Sequence, residues 1–262
     1  MADDDRCRLC GGTLTERFTL TVLDRHEVKY YVCATCGSLQ TERPYWLDEA
    51  YTRGALADLD TGAVMRGLDK QASVVSVMKV LGMPRASKVL DFGGGTGLLC
   101  RLLRDAGVDA WMLEPRGTHE LSPGYAIETL DQPFDLICSF EVVEHLTDPP
   151  EALDLMLTRG DTVLIGTEPY VGQDATWWYL TPTTGQHVFF YAPAAFEWLA
   201  RTHGVEHVDL GTHHLLTHRS LSERQRKLLG YVLRPRVQRY QRAWLAFNAG
   251  YGPAVRDAGL DV

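Results

Sequence analysis

Three glycines at alternate positions follow an aspartate at the end of an apolar run: Lys88-Val-Leu-Asp91-Phe-Gly93-Gly-Gly95-Thr-Gly97. A helical pattern, Leu98 to Ala106, starts directly after them. Val89 and Leu90 read as a strand, the glycines as a tight turn and the next segment as a helix. A residue without a Cβ adopts left-handed backbone at no steric cost and lets a ligand approach the main chain. Strand, glycine turn and helix N-terminus together form a unit against which a nucleotide can lie. Spacing narrows the choice. The dinucleotide fingerprint needs glycine or alanine three residues after its second glycine, and Leu98 stands there.

The chain has 262 residues, 45% hydrophobic and 23% charged, as in an ordinary globular protein with a full core. Such a length holds one large domain, alone or with a small appendage. A net charge of −8 argues against a nucleic-acid partner held through phosphate contacts. No stretch approaches the about 18 apolar residues of a membrane span. The acidic start, Met1-Ala2-Asp3-Asp4-Asp5, has no apolar signal region. A cytoplasmic protein with no membrane partner is expected.

Four of the six cysteines form two pairs, Cys7-x-x-Cys10 and Cys33-x-x-Cys36, each followed by glycine. A C-x-x-C turn points two thiolates at one ion, and two such turns complete a tetrahedral sulfur site for zinc. Strand-like runs at 17–23 and 28–32 lie between the pairs, enough for a small zinc ribbon. A redox C-x-x-C or two disulfides are the alternatives, and a cytosolic chain without thioredoxin-like context disfavours both. Four thiolates leave no open position, so the zinc is expected to be structural. Cys100 and Cys138 sit in apolar contexts and read as core.

Residues 47–81 read as helical, with Val74, Val77, Met78 and Leu81 on one face, a turn or cap at Asp60-Thr61-Gly62, and Pro84 beyond the end. Arg66 in this stretch reads as solvated unless the stretch covers the nucleotide pocket. Residues 110–113 form a short strand ending at Glu114, 21 residues beyond Gly93. A carboxylate there is placed to accept hydrogen bonds from both ribose hydroxyls. Residues 134–138 read as a buried central strand, and Ser139 to Leu146 follow at its carboxyl end. A strand at 161–166, a helix at 194–203 and strands near 207–210 and 214–217 complete the pattern. The alternation predicts an α/β fold with a doubly wound sheet, closed by an antiparallel hairpin.

Residues 85–218 resemble the core of class I S-adenosylmethionine-dependent methyltransferases, through Asp91-Phe-Gly-Gly-Gly-Thr-Gly97, Glu114 and Phe140-Glu-Val-Val-Glu-His145 in order. The resemblance implies a Rossmann-like seven-stranded sheet that binds S-adenosylmethionine (SAM). It implies that Asp91, Gly93, Gly95, Gly97 and Phe140 belong to the cofactor site, with Gly93 and Gly95 beside the methionine portion. It also implies Glu114 at the ribose and Glu128 at the adenine. Residues 33–51, Asp60-Thr61-Gly62, Trp177-Trp178-Tyr179 and Gly185-Gln186-His187 to Tyr191 further resemble a bacterial subgroup with an N-terminal zinc ribbon. Its members accompany polysaccharide or natural-product biosynthesis, which implies a small-molecule acceptor, such as a sugar, a nucleotide-linked sugar or a glycosylated metabolite.

The expected organisation is a zinc ribbon at 1–46, a helical cover at 47–84, the SAM-binding core at 85–218 and a helical extension at 219–262. Within the core, residues 168–191 carry Glu168, Trp177, Trp178 and His187 and read as an acceptor lid. Ring faces stack on sugar C–H surfaces while amides and imidazoles bind hydroxyls, although the tryptophans serve equally as anchors on the core. Methyl transfer from a sulfonium is a direct displacement, so alignment supplies much of the acceleration. The acceptor must also lose a proton, for which an imidazole suits. His187 is the first candidate base and His145 the second. Glu144 and Glu168 are alternatives, and at most one of His213 and His214 faces the site. The basic segment from Ser222 to Trp244 is either a solvated helix face or a phosphate contact, and Pro235 interrupts it. The competing functions are a methyltransferase for RNA or protein, and a non-catalytic zinc and nucleotide-binding regulator.

Overall fold

The computed structural model describes residues 6–52, 62–115, 117 and 119–248. The N-terminal strands are β1 (Leu14–Val22), β2 (His26–Cys33) and β3 (Leu39–Thr41), followed by helices α1 (Leu47–Thr52) and α2 (Ala63–Val80). Then come β4 (Lys88–Phe92), α3 (Leu98–Asp105), β5 (Asp109–Leu113), β6 (Ala126–Ile127), β7 (Phe134–Phe140), α4 (Pro149–Arg159) and β8 (Gly160–Gly166). The chain ends with β9 (Phe189–Phe190), α5 (Pro193–His203), β10 (Glu206–Asp209), β11 (His213–Thr217), α6 (Glu223–Val232) and α7 (Pro235–Asn248). Of the turn at Asp60-Thr61-Gly62, the first two residues lie outside the described residues, and Gly62 precedes α2.

Seven strands make the central sheet, in the order β10-β11-β8-β7-β4-β5-β6. The pairs among β4 to β8 are parallel, and β11 runs against both of its neighbours. The fold is the doubly wound α/β sheet with the closing hairpin that the pattern of elements predicts. Alternating side chains feed opposite faces. Leu90, Ile137 and Ile165 pack with Leu153 and Met156 of α4 and with Phe196 and Leu199 of α5. Val89, Leu136, Cys138 and Leu164 pack with Val74, Val77 and Met78 of α2 and with Leu99, Cys100 and Leu103 of α3. Strand order therefore reverses at β4, where chain crossings diverge and a crevice opens at the carboxyl ends.

The second sheet takes in the end of the segment expected to form a lid. It runs β1-β2-β3-β9, so Phe189 and Phe190, from the segment after β8, complete the sheet of the cysteine module. Leu39 pairs with Phe190 and Gln40 with Phe189. A two-residue strand has no periodicity to read, and its existence depends on a partner far away in the chain. Val22, Val28, Tyr30, Leu39 and Trp46 bury against Tyr179, Leu180 and Phe190 in one cluster. Each such side chain contributes about 1.5–3 kcal/mol relative to exposure. Segment 168–191 is thus fastened on one side by the central sheet and on the other by the N-terminal module.

The basic C-terminal segment forms two helices, broken before Pro235. Arg242 pairs with Asp69 of α2 at 3.1 Å, and Gln238 donates to Ser73. Lys79 of α2 stacks on Trp244 at 3.7 Å.

Candidate active site and cysteine cluster

The turn after β4 uses the conformational freedom of all three glycines, with φ of +79° at Gly93, +56° at Gly95 and +85° at Gly97. A Cβ on Gly93 would lie 2.4 Å from Cγ2 of Val142, whereas one on Gly95 would enter open space. Beside the turn is a cavity of about 260 Å³, walled by Arg66, Gly67 and Lys70 of α2, by Asp91 and the glycine turn, and by Phe140 and Glu141. Glu114 accepts a hydrogen bond from the Gly95 amide at 3.1 Å, which ties the carboxylate at the end of β5 to the turn. Gly97 starts α3 and Glu128 is exposed beyond β6, and neither lines this cavity. Burial pushes the Asp91 carboxyl up to about 7; Lys70 opposes the shift and Glu114 adds to it.

These residues suit SAM chemically. An open glycine face admits an extended ligand, Arg66 and Lys70 supply cations for its carboxylate, and Glu114 offers a carboxylate to a ribose diol. Arg66 is an exposed side chain on the cavity wall. Lys70 and Glu141 were not singled out by the sequence. Arg66 and Lys70 sit four residues apart on one helix face, a spacing that signals a shared surface, but only packing shows that this face meets the turn.

A second group of side chains gathers where β7 ends. A short 3₁₀ turn, Val143–His145, follows the strand. The Val188 amide donates to the Glu144 carbonyl at 2.8 Å. His145 and His187 consequently meet edge to face, with ring centroids 4.8 Å apart. His187 donates from Nδ1 to the main-chain oxygen of Tyr179 at 2.8 Å, which leaves Nε2 as the proton-accepting nitrogen. Burial holds His187 down at about 4. Burial, then His187, holds His145 at about 3. Both rings are neutral near pH 7.

Glu144 is fully buried. The Tyr179 hydroxyl donates to its Oε1 at 2.5 Å and the Thr167 hydroxyl to its Oε2 at 3.1 Å. Burial, then Glu141, pushes its carboxyl up to about 7. Ligand atoms of Glu144, His145 and His187 lie within 4.8 Å of one another. With both Glu144 oxygens engaged by hydroxyls, this is a hydrogen-bonded acid–base cluster rather than an open coordination site.

The remaining sequence candidates separate. His213 meets the edge of Phe140 at 5.8 Å, while His214 turns to the other face and stacks on Phe196 at 3.7 Å. Trp177 packs on Tyr170, Tyr179 and Phe190, and Trp178 is 69% exposed. Glu168 is half-buried.

The four cysteines Cys7, Cys10, Cys33 and Cys36 converge, with sulfurs mutually within 4.8 Å. The Cys7–Cys36 and Cys10–Cys33 separations are 3.7 and 3.5 Å, and none is in a disulfide. A tetrahedron with metal–sulfur bonds of about 2.3 Å has edges of about 3.8 Å, so the cluster fits one tetrahedral ion with no open position. Cys100 and Cys138 are both fully buried in the core.

A family model described as a methyltransferase domain matches residues 66–210, more than half of the chain. No curated protein matches the sequence. Among solved structures, the magnesium protoporphyrin IX methyltransferase of Synechocystis, with bound SAH, is 13% identical at a TM-score of 0.46; the match covers 66% of this chain and 95% of that one. The 1,6-didemethyltoxoflavin-N1-methyltransferase of Burkholderia thailandensis is 16% identical at a TM-score of 0.45, over 66% of this chain and 88% of that one. With its seven-stranded sheet, glycine turn and matched domain, the chain belongs to the methyltransferase-domain family and is a class I SAM-dependent methyltransferase.

Proposed function

We propose that the protein methylates a hydroxyl or amine of a polyhydroxylated small molecule, a sugar or glycosylated metabolite, in polysaccharide or natural-product biosynthesis. The observation that carries this reading is the neutral His187, with Nε2 available, beside the buried Glu144 and linked through Tyr179 to Glu141 on the cavity wall. SAM supplies an activated methyl group. The chain's task is to align the acceptor and take its proton. His187 accepts that proton at Nε2, with its Nδ1–H held by the main-chain oxygen of Tyr179. Exposed Trp178 and the partly exposed Trp177 supply ring faces suited to a sugar.

In the same reading the four cysteines hold a structural Zn²⁺, Glu128 contacts the adenine through its exposed carboxylate, and the protein works in the cytoplasm on free or nucleotide-linked sugars. No described helix is long and apolar enough to cross a membrane. The test is a product screen by mass spectrometry with methyl-labelled SAM and a panel of nucleotide-linked sugars, glycosides, amino acids and RNA. A labelled sugar supports the reading. Labelled RNA or amino acid in its place overturns the acceptor assignment.

A further inference from the structure

Tyr179 occupies an unusual position between two carboxylates. Its hydroxyl lies 2.5 Å from Glu144 Oε1, 3.1 Å from Glu141 Oε2 and 3.2 Å from Thr167 Oγ1. Thr167 in turn lies 3.1 Å from Glu144 Oε2. A phenol has one hydrogen and cannot donate to both carboxylates at once. The two hydroxyls together bring two hydrogens to four contacts. A further proton on one carboxyl lets Glu141 donate to the phenol oxygen while the phenol donates to Glu144. The ends of this line have different surroundings. Glu141 faces the cofactor cavity and is held at φ +56° with its amide bonded to the Gly166 carbonyl, whereas Glu144 is sealed behind the two histidines.

We propose that Tyr179 is a proton relay: Glu141 and Glu144 share one extra proton, which moves through the phenol from Glu141 to Glu144 when positive charge enters the cofactor cavity. The O–H bond of Glu141 breaks as a new one forms at Tyr179, and Tyr179 passes its own hydrogen to Glu144. Nothing leaves the network. SAM carries a fixed positive sulfonium charge and its demethylated product SAH does not, so the proton returns once the methyl group is transferred. The inference rests on the reading that the cavity takes SAM. It goes beyond that reading by linking the cofactor's charge to the acid–base state of the acceptor cluster.

The charged and titratable groups around the line are Lys70 and Arg66 from α2, which favour an ionised Glu141, and Glu168 after β8, which opposes it. On the other side stand His145 and His187, both neutral near pH 7. Desolvation raises both carboxyls, consistent with a retained proton. Tyr179 also carries the main-chain oxygen that orients His187, so one residue both relays the proton and positions the base.

Infrared difference spectroscopy on the full chain, with glutamate carboxyls isotopically labelled to separate them from Asp91, reads the proton directly. The free wild type shows the band of a neutral glutamic acid. SAM shifts that band without loss, while SAH leaves it in place. In Tyr179→Phe the band is lost on SAM binding, because the proton has no path to Glu144 and leaves to solvent. Glu141→Gln, which keeps the shape, lacks the band in the free protein. Absence of the band in free wild type, or its persistence in Glu141→Gln, overturns the shared proton. An identical response to SAM in wild type and Tyr179→Phe overturns the relay. A normal band in a protein that binds no SAM keeps the shared proton, removes the SAM reading and removes the coupling to it.

Discussion

Arg8, between the first two cysteines, donates to the carbonyl of Val188 at 2.6 Å across 180 residues of chain. The amide of that same Val188 bonds to Glu144, so the contact links the cysteine cluster to the acid–base cluster through one peptide segment. Trp46 adds a bond from its indole to the Gly185 carbonyl at 2.8 Å, and Gln186 reaches back to Ala50. The segment carrying His187 is therefore held by the cysteine module and by α1. An ion held by the four cysteines would therefore bear on the chemistry without touching it.

Removing the ion should disturb turnover more than cofactor binding. Cys33→Ser is expected to release the bound metal and to lower kcat at least tenfold through a displaced His187, while SAM affinity changes less, because the glycine turn lies on the other sheet. Metal content by mass spectrometry and SAM affinity by calorimetry check this. A metal-free variant with full turnover would make the ribbon dispensable.

Arg8→Ala separates the tie from the ion. It leaves the four sulfurs in place and the Val188 carbonyl without its charged donor, at a cost of about 1–3 kcal/mol. The expected result is a full complement of metal with a lowered Tm and reduced kcat.

The glycine turn should fail in a specific way. Gly95 has φ +56° and faces open space, so Gly95→Arg projects its side chain into the cavity and should abolish SAM binding in a folded protein. Gly93→Ala should also destabilise the fold, because its Cβ meets Val142 at 2.4 Å. Calorimetric SAM binding together with a thermal melt distinguishes the two outcomes.

His187→Ala is expected to lower kcat by about 10²–10⁴-fold with SAM affinity unchanged. The pH profile supplies the sign. Burial holds His187 at about 4 rather than 6.5, so the neutral, proton-accepting form persists above that value. The acid limb of kcat attributable to this ring should lie near pH 4, with activity lost as pH falls through it, and should vanish in the alanine variant. A limb near 6.5 would mean that His187 is solvated or is not the base.

Much of the central sheet was legible in the residues themselves. The strand at Val89 and Leu90, the turn at Gly93, Gly95 and Gly97 and the helix after it are local: apolar period, absent Cβ and helical spacing act within ten residues, and physics at that range needs no partner. The two C-x-x-C turns are local in the same way, and their chemistry admits few outcomes. The place of Glu114 at the end of β5, against the glycine turn, was legible because a strand end fixes its direction.

Tertiary structure decided the rest. Phe189 and Phe190 form a strand only because Leu39 and Gln40 offer an edge, so the end of segment 168–191 becomes the fourth strand of the cysteine module's sheet. Lys70 and Glu141 reach the cavity beside the glycine turn through the packing of α2 and the left-handed turn at Glu141, neither of which leaves a mark in composition or periodicity. His145 and His187 were each visible as an imidazole, but their edge contact and the Tyr179 oxygen that fixes the tautomer exist only when distant segments fold together. Burial, which sets the protonation of both rings, belongs to the whole fold. Sequence names the groups that can carry charge and protons; packing sets the solvent around them, and with it which form they hold.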